Sequence, residues 1–390
     1  MSIAPVRSVS SVTPAPPRGR PRPPSGNAVT PTRTTRTTTS KPTTLRQVAR
    51  AADVSMATVS RVLAGNYPVA PRTRQRVLRA VQELDYVANT HARALRGHAT
   101  PTVALVLPDL RDEAVARIAQ GVEEEATRNG RSCLIGTTRG DTERERTVLR
   151  AMRQNGAGAV ILIGGGAQDP VHQEELAAIA ASLAAAGSRL VLCGRPAPDD
   201  AMPATVVEYD NEGGAYAVVS RLLVQGHRRI LFLGPATGST TAAGRLAGYR
   251  RALADFDLPF RPELVVGGGL GRADARDRLA RRLVGGSDFT AVFAVTDNAA
   301  SGALAALREA GLRVPDDVSL VGYGDAECAT DLLPQLTTVH VPYVELGRTA
   351  VRLALGLTEG SVSAADQRAL LGTHVVLRDS TAPPPRRRPG

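Results

Sequence analysis

Two hydrophobic periodicities divide the chain. Thr44-Leu45-Arg46-Gln47 has the form of a capping box, with Thr at the N-cap and Gln three residues on. Leu45, Val48, Ala49 and Ala52 then recur at i, i+3, i+4 and i+7, which predicts one buried helix face. The pattern breaks at Asp53-Val54. Ser55 is a second N-cap, with Val54 and Val59 at the two positions of a hydrophobic staple, and Val59, Val62 and Leu63 form the next apolar face. Gly65-Asn66-Tyr67-Pro68 reads as a turn. Pro71 opens a third helix at its first position, with Val77, Ala80, Val81 and Leu84 turned inward. A fourth short helical segment, Asn89 to Arg96, ends at Gly97.

From Thr102 the pattern changes to short aliphatic runs: Val103–Leu107, Ser132–Ile135, Ala159–Ile163, Leu190–Cys193, Ile230–Leu233, Leu264–Val266, Ala291–Val295 and Val318–Val321. Amphipathic stretches separate them, as in 115–126, where Val115, Ile118, Ala119, Val122 and Ala126 keep step. Strands alternating with helices predict parallel sheets with crossover helices. The length suits two such sheets, and a ligand is expected in the cleft beyond their carboxyl ends.

Two short helices joined by a tight turn, completed by a third, are helix-turn-helix architecture. Its second helix would carry Met56, Ala57, Thr58, Ser60 and Arg61 away from the apolar face, toward a major groove. Arg72, Arg74, Arg76 and Arg79 suit phosphate contacts. A three-helix bundle with a merely basic surface is the alternative.

Charge sharpens this choice. The net charge is +11, but residues 1–43 hold seven basic side chains and no acid, and residues 44–97 hold nine basic and three acidic. The body is mildly acidic. Positive charge confined to one small module is the footprint of nucleic-acid binding, although a solvated basic face has the same composition. Residues 1–43 are too rich in Pro, Thr, Ser and Arg to bury a core and are expected to be disordered. Within them Pro17-Arg18-Gly19-Arg20-Pro21 resembles the core of an AT-hook, and a mis-assigned start would also account for part of the stretch. The basic tail 383–390 has no heptads, so a dimer is expected rather than a tail-built tetramer.

Other classes find little support. Cys133, Cys193 and Cys328 are far apart and form no CxxC, which argues against disulfides and structural zinc and for buried free thiols in a reducing compartment. No run approaches the ~20 apolar residues of a membrane span, and no secretory leader is evident, so a cytoplasmic location is expected. The missing leader and the headpiece also argue against a transport receptor. Gly164-Gly165-Gly166 and Gly267-Gly268-Gly269 invite a dinucleotide enzyme, but neither forms GxGxxG opening a helix. No metal cluster, cofactor motif or catalytic triad order is seen, and the chain is not expected to be an enzyme.

The residues have a family likeness. Thr44 to Ala49 and Val54-Ser55-Met56-Ala57-Thr58-Val59-Ser60-Arg61-Val62-Leu63 closely resemble the signature of the lactose/galactose repressor (LacI/GalR) family. The likeness runs on through Ala88-Asn89, Ala92-Arg93-Ala94-Leu95, Gly226-His227-Arg228-Arg229-Ile230, Gly244-Arg245-Leu246-Ala247-Gly248-Tyr249, 311–319, Leu336-Thr337-Thr338-Val339 and Arg378-Asp379-Ser380-Thr381. It implies a helix-turn-helix headpiece at 44–88, a hinge helix at 89–97, and a body at 98–382 built from two Rossmann-like lobes, as in periplasmic binding proteins. On that reading the first lobe takes about 101–198 and 325–340, and the second about 199–324 and 341–380.

The resemblance further implies a homodimer on a pseudo-palindromic operator of double-stranded DNA, regulated by a small-molecule effector, a sugar or related metabolite. Met56 and Ala57 hold the positions that discriminate bases; both are apolar and suit thymine methyl groups. Ser60 and Arg61 would touch phosphate or base, and Leu95 would wedge into a minor-groove step. Thr44, Leu45, Ser55, Thr58, Asn66, Tyr67, Asn89 and Ala92 complete the implied DNA contacts. The implied effector set is Asp112, Ala114, Arg245, Leu270 and Asp297. Here the chain departs from the family: Leu270 stands where an aromatic is common, and Asp112-Glu113-Ala114-Val115 replaces Asn-Pro-Phe-Phe. The two carboxylates suit a cationic or heavily hydroxylated ligand, or simply the first turn of a helix.

Overall fold

A computed structural model describes residues 43–64, 68–84, 86, 102–235, 238–356 and 368–385. It divides into two compact units, Met1–Val87 and Ala88–Gly390.

In the first unit, α1 (Leu45–Ala51), α2 (Met56–Ala64) and α3 (Pro71–Glu83) enclose Val48, Ala49, Ala52, Val59, Val62, Val77 and Ala80. The expected caps form. The Gln47 side-chain oxygen accepts the Thr44 backbone N–H at 2.7 Å and its hydroxyl at 2.9 Å. The Ser55 hydroxyl oxygen accepts the Thr58 N–H at 3.1 Å. Asp53 takes a left-handed backbone, φ 49°, to turn the chain between α1 and α2. Aspartate is one of the few residues that tolerates this conformation. The Thr43 hydroxyl donates to the Leu84 carbonyl at 2.9 Å, fastening the start of the unit to the end of α3.

The second unit contains two parallel sheets. The first runs β2 (Ser132–Thr137), β1 (Thr102–Leu107), β3 (Ala159–Ile163), β4 (Arg189–Cys193), β5 (Ala204–Tyr209) and β11 (Arg368–Leu371) across its width. The second runs β7 (Val265–Val266), β6 (Ile230–Leu233), β8 (Ala291–Ala294) and β9 (Ser319–Val321). Alternate side chains of each strand enter different cores, as the pleat requires. Val103, Leu105 and Leu107 of β1 pack on the side of α4 (Glu113–Arg128) and of a late helix, α12 (Tyr343–Leu355). Ala104 and Val106 face α5 (Thr142–Gln154) and α6 (Pro170–Ala185). In the second lobe Ile230 and Phe232 face α7 (Asn211–Val224) and α8 (Thr240–Asp255), while Leu231 and Leu233 face α9 (Arg272–Leu283) and α10 (Asp297–Glu309). A four-residue helix, α11 (Cys328–Asp331), follows β9.

The expected lobe boundaries need correction. The run 204–209 lies in the first sheet, paired with β4 over 204–207 and with β11 over 206–209, so that lobe extends beyond 198. Helix α12 packs on α4 and on β3 to β5, and β11 is the sheet's edge, so 343–355 and 368–371 belong to the first lobe. Thr337 bridges instead to Val321 of the second sheet, and His340 to Gly324 just beyond it. The two connecting strands β10 (Thr338–His340) and β12 (His374–Val376) pair antiparallel. Lobe membership follows from pairing partners far apart in sequence, which local periodicity does not encode. A Cβ on Gly347 would lie 2.1 Å from the Ile118 carbonyl oxygen, so α12 reaches α4 only through a glycine.

The cysteines are free. Cys193 is buried, and burial pushes its thiol up to about 12; Cys133 and Cys328 are only partly buried, contrary to expectation.

Candidate nucleic-acid interface and effector cleft

Helix α2 turns Val59 and Val62 inward, and the same turn leaves Met56 (48% exposed), Ala57 and Arg61 outward. Thr58 and Ser60 are half-buried at the margin of that surface. Thr44 is exposed at the start of α1, with Leu45 packed partly against the core. Arg72, Arg74, Arg76 and Arg79 are exposed along α3. The unit thus exposes apolar and hydroxyl-bearing side chains on α2 and cations on α2 and α3, which is chemistry for base edges and phosphates. Asn66, Tyr67, Asn89, Ala92 and Leu95 lie outside the described residues.

In the second unit, Arg245 sits on the first turns of α8 and is 3% exposed. Its Nε donates to the Asn211 side-chain oxygen at 3.0 Å, one terminal nitrogen donates to the Val295 carbonyl, and the other to the Tyr209 hydroxyl at 3.1 Å. The guanidinium lies 3.8 Å from the centre of the Tyr323 ring. Burial disfavours its charge, but the phenol oxygens of Tyr209, Tyr323 and Tyr343 outweigh that and raise its pKa.

Asp297 is 1% exposed. The N-cap of α10 is Thr296, whose hydroxyl accepts the Ala299 N–H and donates to the Leu270 carbonyl. The Asp297 carboxylate is therefore left for other partners, the Thr338 hydroxyl at 2.5 Å and the Ala326 N–H at 2.7 Å. Burial pushes this carboxyl above its ordinary range, against the lowering effect of those two donors. A Cβ on Gly322 would lie 2.1 Å from one carboxylate oxygen, so only glycine fits beside it.

The other expected effector residues are placed differently. Asp112 caps α4, accepting the Ala114 and Val115 N–H groups at 2.9 and 3.3 Å. Ala114 packs partly against the core, and Leu270 is 38% exposed. Glu113 reaches across to the second lobe and accepts the Glu327 N–H at 3.0 Å, while Arg117 donates to the Asp325 carbonyl at 3.2 Å. The carboxylate pair at 112–113 is thus committed to a cap and a bridge between lobes. A second bridge joins Gly166 and Thr240: the Gly166 N–H reaches the Thr240 hydroxyl at 3.0 Å, and the Thr240 N–H reaches the Gly166 carbonyl at 3.1 Å.

Sequence reading missed Tyr209, Tyr323 and Tyr343, which surround Arg245. The chain has only seven tyrosines and no tryptophan. In so aromatic-poor a protein, three tyrosines at strand ends and a helix start were the available signal.

Residues 44–89 match the family described as bacterial regulatory proteins, lacI family, and residues 219–381 match the periplasmic binding protein-like domain. The chain is 35% identical over 346 residues to the HTH-type transcriptional regulator CelR of Thermobifida fusca, covering 86% of this chain and 98% of that protein. It belongs to the lacI family of bacterial regulatory proteins. As a lacI-family member it is a DNA-binding transcriptional regulator with an effector-binding, periplasmic-binding-protein-like body. It is also 32% identical over 317 residues to the regulator GalR of Escherichia coli, covering 81% of this chain and 89% of that one. Among solved structures, it is similar to the lac repressor dimer bound to operator and the anti-inducer ONPF: TM-score 0.73, 27% identity, 88% of this chain and 100% of that chain. A CelR–cellobiose complex matches with TM-score 0.62 and 32% identity over 87% of this chain and 99% of that chain. Among the described residues no helix of this regulator is long and apolar enough to cross a membrane.

Proposed function

We propose that the protein is a homodimeric repressor acting in the cytoplasm, which binds a pseudo-palindromic operator and is regulated by a sugar held between its lobes. The observation that carries the effector reading is the Arg245–Asp297 neighbourhood. Two charged side chains are held out of water where the lobes meet, each hydrogen-bonded to groups from distant parts of the chain. Such a network suits hydroxyl recognition, because a hydroxyl both donates and accepts. The similar solved structure of a CelR–cellobiose complex, 32% identical to this chain, makes cellobiose the first sugar to test. Leu270, half-exposed beside Thr296, would cover the ligand in place of an aromatic, and Asp112 and Ala114 would form the wall from the first lobe.

On the DNA side, Met56 and Ala57 would read bases, with Thr44, Leu45, Ser55, Thr58, Ser60 and Arg61 around them. Asn66, Tyr67, Asn89 and Ala92 would add contacts, and Leu95 would wedge a minor-groove step. A second copy would cover the apolar edge strand β2, where Leu134 and Ile135 are exposed. Sugar binding would change the lobe angle and so the seating of the paired hinge segments, with a coupling of roughly 1–3 kcal/mol, or about 5- to 150-fold in operator affinity.

The test is selection of bound sequences from a random duplex pool at one fixed salt concentration, since phosphate contacts make affinity steeply salt-dependent. An inverted repeat is expected. Recovery of single half-sites would refute the dimer, and recovery of no motif with or without cellobiose and other sugars would refute the operator reading. Leu95→Ala binding as tightly as the unaltered protein would remove the wedge.

A further inference from the structure

We propose that residues 17–22 are a second DNA-reading element, an arm that enters the minor groove of A·T-rich duplex beside the half-site read by its own headpiece. The arm rests on the DNA-binding reading of that headpiece, but no known operator is needed to test it.

The residues are Pro17-Arg18-Gly19-Arg20-Pro21-Arg22-Pro23. Arginine stands at every second position from 18 to 22. Proline at 21 and 23 disfavours helix at Arg20 and Arg22 and turns both toward extended backbone. In an extended chain alternate side chains leave the same edge about 6.6 Å apart, close to two base-pair steps of about 3.4 Å each. Gly19 has no side chain to hold the backbone off a groove floor.

The chemistry selects the groove. Arginine only donates hydrogen bonds. The minor-groove floor of an A·T pair offers only acceptors, adenine N3 and thymine O2, whereas a G·C pair places the guanine amino group there. A·T tracts also have a narrow minor groove of strong negative potential, which favours inserted arginine. Residues 1–43 hold seven basic side chains and no acid, so no carboxylate of the segment competes for these guanidinium groups. The arm also supplies what α2 lacks, since the side chains of Met56 and Ala57 carry no hydrogen-bond donor.

Thr43 roots the arm. Its hydroxyl donates to the Leu84 carbonyl at 2.9 Å, and the next N–H, that of Thr44, is held by Gln47 at 2.7 Å. The arm therefore leaves a fixed point on the helix-turn-helix unit, at the start of the helix that exposes Arg46 and Arg50. A chain of the length from Arg20 to Thr43 spans at most about 75 Å, and about 25 Å as a flexible coil, which already covers about seven base pairs. Tethering at such a distance gives an effective concentration on the order of millimolar, so weak groove contacts add to those of α2.

The test uses the full-length protein at one salt concentration and three synthetic duplexes of equal length. These are a mixed-sequence G·C duplex, the same duplex with inosine for every guanine, and the same with an A·T pair for every G·C pair. Inosine lacks the guanine amino group, so an I·C pair presents the acceptors of A·T in the minor groove and the pattern of G·C in the major groove. The unaltered protein is expected to bind the A·T and I·C duplexes alike and the G·C duplex at least about tenfold more weakly. Arg18→Ala with Arg20→Ala should erase that difference. Arg33→Ala with Arg36→Ala removes the same charge from a different spacing, and should weaken all three equally while keeping the preference. None of these arginines belongs to the core of Val48, Val59 and Val77, so the unfolding midpoint should not move.

I·C bound like G·C would place the preference in the major groove. Equal losses from the two alanine pairs would reduce the arm to a basic tether, and no loss from the first pair would remove it from DNA. Each of these overturns the proposal. So would an RNA duplex, with its wide and shallow minor groove, that competes better than the A·T duplex through Arg18 and Arg20. No binding to any duplex would overturn the headpiece reading along with the arm.

Discussion

The Asp297 carboxylate accepts the Thr338 hydroxyl at 2.5 Å, tying the first residue of α10 to β10, a strand that leads from one lobe to the other. Its other oxygen holds the Ala326 N–H at 2.7 Å. One buried acid therefore fixes both a connecting strand and the loop that meets Glu113 and Arg117 of the first lobe. A perturbation at this acid has a direct mechanical route to the lobe contacts.

Asp297→Ala leaves the Thr338 hydroxyl and the Ala326 N–H unpaired. Each orphaned group costs about 1–3 kcal/mol, so the urea midpoint of the body should fall markedly. Asp297→Asn isolates the charge. Because burial raises the native pKa above 3.8, the folded state holds the proton more tightly than the unfolded chain. Stability of the unaltered protein is therefore lost as pH rises from 3.8 through that raised value. The stability of Asp297→Asn relative to it should climb across the same window, and a difference independent of pH would contradict the assignment.

Asp325 behaves in the opposite sense. Burial works to raise its pKa, but Arg378 at 2.7 Å and His340 at 2.9 Å prevail and hold it below 3.8. Its contribution to stability is present above 3.8 and disappears as pH falls through the lowered native value. Asp325→Asn keeps a residue type that accepts the observed φ of 54°. It should be less stable than the unaltered protein at pH 7, and the gap should close in acid. Chemical denaturation across a pH series reads this out.

Met56 is exposed and makes no core contact, so Met56→Arg should change stability by no more than about 0.5 kcal/mol. An arginine at that place pairs with guanine in the major groove. Sequence selection with the variant should replace one base of each half-site by guanine and leave the rest of the motif intact. An unchanged motif would mean that α2 meets DNA through another part of its surface.

The headpiece was legible from sequence because its determinants are local. The caps at Thr44 and Ser55 and the faces of Val48, Val59 and Val77 all fall within short windows. Helix 113–128 was readable for the same reason, from Val115, Ile118 and Val122. The lobe boundaries were not. Residues 204–209 and 368–371 reveal their sheet only through partners far away in the chain. At the site, Arg245 and Asp297 were found through family resemblance, but their partners Tyr209, Tyr323 and Thr338 come from separate strands. The carboxylates at 112–113 pointed toward a ligand in sequence. In space one caps its own helix and the other answers a backbone N–H across the cleft, because the first turn of α4 lies where the lobes meet.

The interleaving of the lobes also bears on how the chain is made. Strands β1 to β5 leave the ribosome by residue 209, yet α12, which covers one face of their sheet, is encoded at 343–355. Val103, Leu105, Ile161 and Val207 must wait, partly uncovered, while the whole second lobe is synthesised. Domains otherwise tend to fold as units in order of emergence. For this body, translation speed and chaperone access over that interval bear on the yield of folded protein, and truncation before 343 should give aggregation rather than a smaller working lobe.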